Sequence, residues 1–331
     1  MNNESRKVSL FWPILLIGAG LVLLLRNLGV LQSFNINVLL RLWPLILVVI
    51  GLDLIFGRRY PWAGALIALL AVGGTIAFLY FAPNLGINPP SGVKTEVLTT
   101  PLEDTARAQY NLETSYEPVT IKALPASSDL FKATIVHHGQ LNFDVAGAAD
   151  KTIRLSETTN SENWFSFDLG LSGLKWDIGL NPTVPAVLNL DGGSGSLDIN
   201  LTGLTLESMD ASFGSGSSSI TLPVSSTAYT VDIDSGSGSV NMRLPDSTPL
   251  TLTLSSGSGS VSIRVPTATA LKVEVMDDGS GSFHLPGSLQ LIKGSGSYEN
   301  DTWQTAGFDT AVNPVIIVIQ DRGSGSISIN N

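Results

Sequence analysis

The chain has 331 residues, with 18 Lys and Arg against 28 Asp and Glu and a net charge of −10. It has no cysteine, which excludes disulfides, thiol nucleophiles and thiolate metal sites. The charge is uneven: residues 1–83 carry +4 and residues 84–331 carry −14. The acidic majority argues against a nucleic-acid partner, because phosphate binding draws on clustered Lys and Arg.

Residues 1–9 form a short N-terminus containing Arg6 and Lys7, and three apolar stretches come after it. The first runs from Leu10 to Leu25 and the second from Val38 to Phe56. The third, Pro61 to Phe81, has no charge. About 20 apolar residues span a bilayer, so residues 10–82 are expected to form a three-span transmembrane region. Arg6, Lys7, Arg58 and Arg59 would share one side of it, with Arg26 and Arg41 on the other. The positive-inside rule makes the first side cytoplasmic. A domain emerging after Phe81 is then expected to be extracytoplasmic.

The first two stretches repeat each other. Phe11-Trp12-Pro13-Ile14-Leu15-Leu16 matches Leu42-Trp43-Pro44-Leu45-Ile46-Leu47, and Gly20 matches Gly51. Pro suits a helix's first turn, where its missing N–H leaves no bond unmade. Asp53 is the one carboxylate in these stretches. It reads as an interfacial residue near Arg58 and Arg59 rather than as a proton or cation site. The doubled Trp-Pro unit followed by Arg58-Arg59 resembles the transmembrane region of LiaI- and LiaF-type bacterial envelope-stress proteins. LiaF-type proteins have four spans where three are read here, so sidedness rests on charge rather than on the resemblance.

Pro83, Pro89 and Pro90 mark a linker over 83–95. Residues 96–170 hold short β-like runs, such as Ala106–Leu112 and Phe131–His137, and are expected to cap a repetitive C-terminal part.

From 171 to 331 the chain is repetitive. Gly-Ser-Gly-Ser begins at Gly193, Gly214, Gly236, Gly257, Gly279, Gly294 and Gly323. The first four intervals are 21 or 22 residues, and the last two are 15 and 29. Between motifs, apolar residues alternate: Val240, Met242 and Leu244, then Leu250, Leu252 and Leu254. Period-two alternation means strands with one buried face. A fixed period means stacked units that complete each other's cores. The expected fold is a multi-pass α-helical membrane region plus an all-β C-terminal domain. That domain is read as a β-solenoid of roughly 22 residues per layer, with Gly-Ser-Gly-Ser at one corner. The last layer, ending at Ile327 and Ile329, is expected to present an open edge. Asp191, Ser212, Asp234, Ser255, Asp277, Ile292 and Asp321 precede the motifs by two residues. Vertical alignment would keep the first carboxylates from adjoining. Leu174 to Pro182, Gly193 to Ser196 and Leu197 to Leu204 resemble the toast-rack β-repeat domain. Joined to a Lia-type membrane region, this resemblance implies a role in cell-envelope stress.

No catalytic, cofactor or metal residues are assigned. His137 and His138 adjoin in a strand and point to opposite faces, and both read as exposed, as does His284. Gly214-Ser215-Gly216 lacks the Lys of a phosphate loop. The turn carboxylates lack the second Gly-x-Asp of calcium-binding solenoids. The functional expectation is a non-enzymatic membrane-anchored scaffold or sensor. Its expected partners are the lipid bilayer, further copies of itself and a membrane-bound regulatory protein or kinase. The alternative is a surface adhesin or structural envelope protein held by the spans.

Overall fold

A computed structural model describes residues 13–14, 16–18, 20–21, 24, 43–52, 54–55, 61–81, 93–158, 173–277 and 279–331. Arg6, Lys7, Arg26, Arg41, Asp53, Arg58, Arg59, Trp164, Phe165 and most of the linker lie outside the described residues. The chain divides into two units: Met1–Gly92 with Asn160–Ser172, and Val93–Thr159 with Gly173–Asn331.

The first unit contains α1 (Trp43–Leu52) and α2 (Pro61–Phe81). Each opens with Pro in its first turn, as its sequence allows. Val49 and Ala68 are buried together, with Ile14, Ile67 and Ala71 packed against them. The expected multi-pass helical membrane region needs correction. Among the described residues no helix is long and apolar enough to cross a membrane.

The second unit is built from two large sheets enclosing one apolar core. Its opening strands are β1 (Lys94–Pro101), β2 (Arg107–Thr114), β3 (Val119–Ala123), β4 (Asp129–His137), β5 (Gln140–Ala146), β6 (Asp150–Thr158) and β7 (Lys175–Leu180). The regular part runs β8 (Ala186–Gly192), β9 (Leu197–Asn200), β10 (Leu206–Phe213), β11 (Ser217–Thr221), β12 (Tyr229–Ser235), β13 (Ser239–Arg243), β14 (Leu250–Ser256) and β15 (Ser260–Arg264). Each period places its even-numbered strand in the 11-stranded sheet and its odd-numbered strand in the 10-stranded sheet. Parallel pairing holds equivalent residues level: Val231 faces Leu252, Ile233 faces Leu254, and Val240 faces Val261. All six are buried. Burying such a side chain stabilises by roughly 1.5–3 kcal/mol, so a one-residue slip, which would turn every one outward, is strongly disfavoured.

The β-solenoid reading also needs correction, because layers do not keep chain order. After β16 (Leu271–Val275) and β17 (Phe283–His284), the chain forms an antiparallel hairpin of β18 (Leu289–Lys293) and β19 (Asp301–Thr305). It then returns as β20 (Val315–Asp321) and β21 (Ser326–Asn330). This last pair inserts between earlier layers: β20 between β14 and β16, and β21 between β15 and β17. The last strand is therefore no open edge, and Ile327 and Ile329 are buried. The other end has the same device, with β2 between β8 and β6, and β3 between β9 and β7.

The hairpin also accounts for the irregular spacing of the last motifs. The sixth motif, starting at Gly294, lies off the stack. Its loop is held by buried Asp301, whose carboxylate accepts the Ser295 N–H at 2.8 Å and the Tyr298 N–H at 2.7 Å. Gly294 and Gly296 there have φ of 109° and 81°, a left-handed backbone that glycine alone adopts easily.

Candidate interaction surface

Six of the seven motifs form one corner, stacked in the spatial order 193, 214, 236, 257, 323, 279. The backbone pairs from layer to layer: Ser237 N–H donates to the Gly214 carbonyl at 3.0 Å, and Ser260 N–H to the Gly238 carbonyl at 3.0 Å. The second glycine of each motif is required by close approach. A Cβ on Gly216, Gly238, Gly259 or Gly325 would fall on a carbonyl oxygen of the neighbouring layer. Positive φ is confined to Gly279 and Gly323 among these stacked motifs, so in the regular layers space, not backbone hand, selects glycine.

The two serines of the motifs starting at Gly214, Gly236, Gly257, Gly279 and Gly323 make parallel hydroxyl rows along a shallow groove of about 670 Å³. The rows pair with themselves: Ser237 Oγ lies 3.1 Å from Ser258 Oγ, and Ser239 Oγ donates to Ser217 Oγ at 3.1 Å. With no charge in its lining, the groove offers a neutral polar surface.

The turn carboxylates sit beside this corner. Asp191 faces Ser212, Ser212 faces Asp234, and Asp234 faces Ser255. The alternation continues one layer further, Ser255 facing Asp321 across a register shift, while Ile292 lies in the hairpin. Asp321 Oδ1 accepts the Gly323 N–H at 2.7 Å, closing its own turn. Among the described residues no group of three or more His, Asp or Glu could hold a metal ion.

The histidines separate. His284 is exposed. His137, expected to be exposed, is buried, with Nδ1 3.0 Å from the Gly139 carbonyl oxygen and Nε2 3.2 Å from Glu96 Oε1. Its strand lies between β1 and β7, so both flanks are covered.

Two features escape sequence reasoning. In the inserted N-terminal layer, Ser115-Tyr116-Glu117-Pro118 occupies the corner where the next layer has Gly193 to Ser196. Glu117 is buried there. Oε2 accepts the Tyr116 N–H at 3.1 Å and Oε1 has no partner. Burial pushes its carboxyl above the usual range, backbone N–H groups oppose that shift, and the Glu157 carboxylate adds to it. At the other end Arg322 is buried against the rings of Phe283 and Tyr298, at 5.3 and 5.7 Å, and donates to the Gly279 carbonyl at 3.1 Å. Only the inserted layer brings these residues together.

The chain has likenesses among known proteins. Residues 10–55 match the LiaI-LiaF-like transmembrane region, and residues 89–243 match the N-terminal domain of toast_rack. That second match takes in the non-repetitive strands as well as the first three motifs. No curated protein matches the sequence. Among solved structures, a candidate cell adhesion protein from Clostridium sporogenes is 17% identical with a TM-score of 0.48, covering 72% of this chain and 99% of its own. A candidate adhesin from Bacteroides fragilis is 12% identical with a TM-score of 0.27, covering 72% and 98%. One from Parabacteroides distasonis is 10% identical with a TM-score of 0.25, covering 72% and 98%. These scores are too low for the likenesses to bear on function. The chain thus joins a segment similar to the LiaI-LiaF-like transmembrane region to one similar to the N-terminal domain of toast_rack.

Proposed function

We propose that this chain is a non-enzymatic scaffold or sensor of the bacterial cell envelope, attached to the cytoplasmic membrane by its N-terminal region and displaying its β unit outside the cytoplasm. The observation that supports this most is the union, in one chain, of a LiaI-LiaF-like region with a β unit made of repeated equivalent surfaces. Repetition suits multivalent contact, since a ligand or partner meets the same chemistry at each layer. It does not suit catalysis, which needs one constellation of acid, base and nucleophile. Further copies of the chain and a membrane-bound regulatory protein or kinase are its expected partners.

Crosslinking the full chain in membranes before and after cell-wall damage, then identifying what is captured, tests this reading. Capture of a membrane regulator or kinase that changes with damage supports it. Capture of host or matrix components alone, unaffected by damage, would replace it with the adhesin alternative.

A further inference from the structure

The outer faces of the two sheets each carry a pair of like charges in direct register. On the 11-stranded sheet Asp210 faces Asp232 across parallel strands. On the 10-stranded sheet Arg243 faces Arg264. All four are exposed, and among the described residues none is in an ion pair. Like charges directly opposite each other destabilise a sheet. Each face therefore holds an unfavourable pair that nothing within the unit relieves.

The two pairs complement one another. Both are set by neighbouring strands about 4.8 Å apart, so the charges of one repeat at the spacing of the other. Their flanks match too: the carboxylates run Asn189, Asp210, Asp232, Thr253, and the guanidinium groups run Thr221, Arg243, Arg264, Asn330. In each row short polar residues border two charges. The faces look away from a shared core, so one unit cannot pair them internally. A second copy can.

We propose that copies of this chain associate by laying the Arg243–Arg264 face of one against the Asp210–Asp232 face of the next. Guanidinium groups bind carboxylates in bidentate fashion, and like-charge repulsion on each face falls as the faces meet. The contact is heterologous, because different patches meet, so it extends as a row or closes as a ring. Attachment to one membrane raises the local concentration of copies. This inference rests on the scaffold reading and names the surface through which the scaffold grows.

Charge exchange tests it. The full chain, labelled with donor and acceptor dyes, is reconstituted in phosphatidylcholine vesicles and energy transfer is read against surface density. Two variants are made: Arg243→Glu with Arg264→Glu, and Asp210→Arg with Asp232→Arg. Each alone should associate about tenfold more weakly, through like-charge contact. An equimolar mixture should recover wild-type transfer, because each variant then offers the other an opposite face. Recovery also shows that both variants are folded. Raising salt from low to high should weaken wild-type association. Wild-type transfer in each variant alone, or failure of the mixture to recover, overturns the proposal. So does association abolished by EDTA, which would assign the Asp pair to a divalent cation. A wild-type chain that never self-associates overturns it as well, and leaves the scaffold reading to the capture of membrane partners.

Discussion

Gly238 stands so close to Gly216 that a Cβ on the former would fall on the carbonyl oxygen of the latter. The atom it would meet is backbone, paired into the layer ladder, so it cannot turn aside as a side chain could. Gly238→Ala is expected to destabilise the β unit by about 2–4 kcal/mol, as overpacking a fixed site does. Gly287→Ala is the control, since nothing lies within 4 Å of its Cβ position, and should change stability by less than about 0.5 kcal/mol. Thermal melts of the full chain followed by the β signal distinguish the two. Equal melting would mean the corner opens freely.

Arg322 ties the inserted C-terminal layer to the hairpin through Phe283 and Tyr298. Trp303 stacks on Tyr298 at 5.9 Å, extending the cluster onto β19. Arg322→Met keeps the length of the side chain but removes its charge and its bond to Gly279. The expected loss is about 2–3 kcal/mol from the cation–π contacts and the charged hydrogen bond together. Hydrogen exchange should speed first in 283–305 and leave β8 to β13 unchanged. Uniform acceleration throughout the unit would show that the cluster is not a local lock.

The strands of the regular layers were legible because one face is buried and the period is two, as at Val240 and Met242. The corner was legible because its second glycine has no room for a side chain. Layer order was not legible. Val119 and Leu197 are level neighbours although many residues separate them in the chain, and no local pattern encodes that pairing. His137 misled for the same reason: its burial comes from β1 and β7 on either side rather than from its own strand. The sixth motif looked like the others because identical tetrapeptides can be shaped by one distant residue, here Asp301. Arg322 and Glu117 gave no sequence signal, since each is defined by neighbours the insertions supply.

Glu117 makes stability depend on pH in a stated direction. Its folded carboxyl titrates above its unfolded range, chiefly because burial disfavours the charge. Between the two ranges the folded state binds more protons, so stability falls as pH rises through that window. The penalty is absent below the unfolded range and complete above the folded one. Glu117→Gln removes the titration and can keep the bond from the Tyr116 N–H. The variant should be more stable than wild type at neutral pH, with the advantage shrinking as pH falls into the carboxylate range. Denaturation at several pH values measures this, and parallel curves for the two proteins would place the titration elsewhere.

Removal of the last strand tests whether it is interior. An edge strand at the end of a stack can be lost with little harm to the layers beneath. β21 is instead paired on both sides, Val261 facing Ile327 and Ile327 facing Phe283. Deleting residues 326–331 would leave β15 and β17 without their shared neighbour and open the core beside Ile263 and Val265. Two buried isoleucines are lost, each worth about 2–5 kcal/mol on truncation, together with a ladder of backbone bonds on each side. The truncated chain should therefore lose cooperative melting of the C-terminal layers and expose 271–305 to protease. Ile329→Ala makes the same point without removing backbone, and should cost about 2–5 kcal/mol. A truncated protein that melts and resists protease as the full chain does would return β21 to the edge.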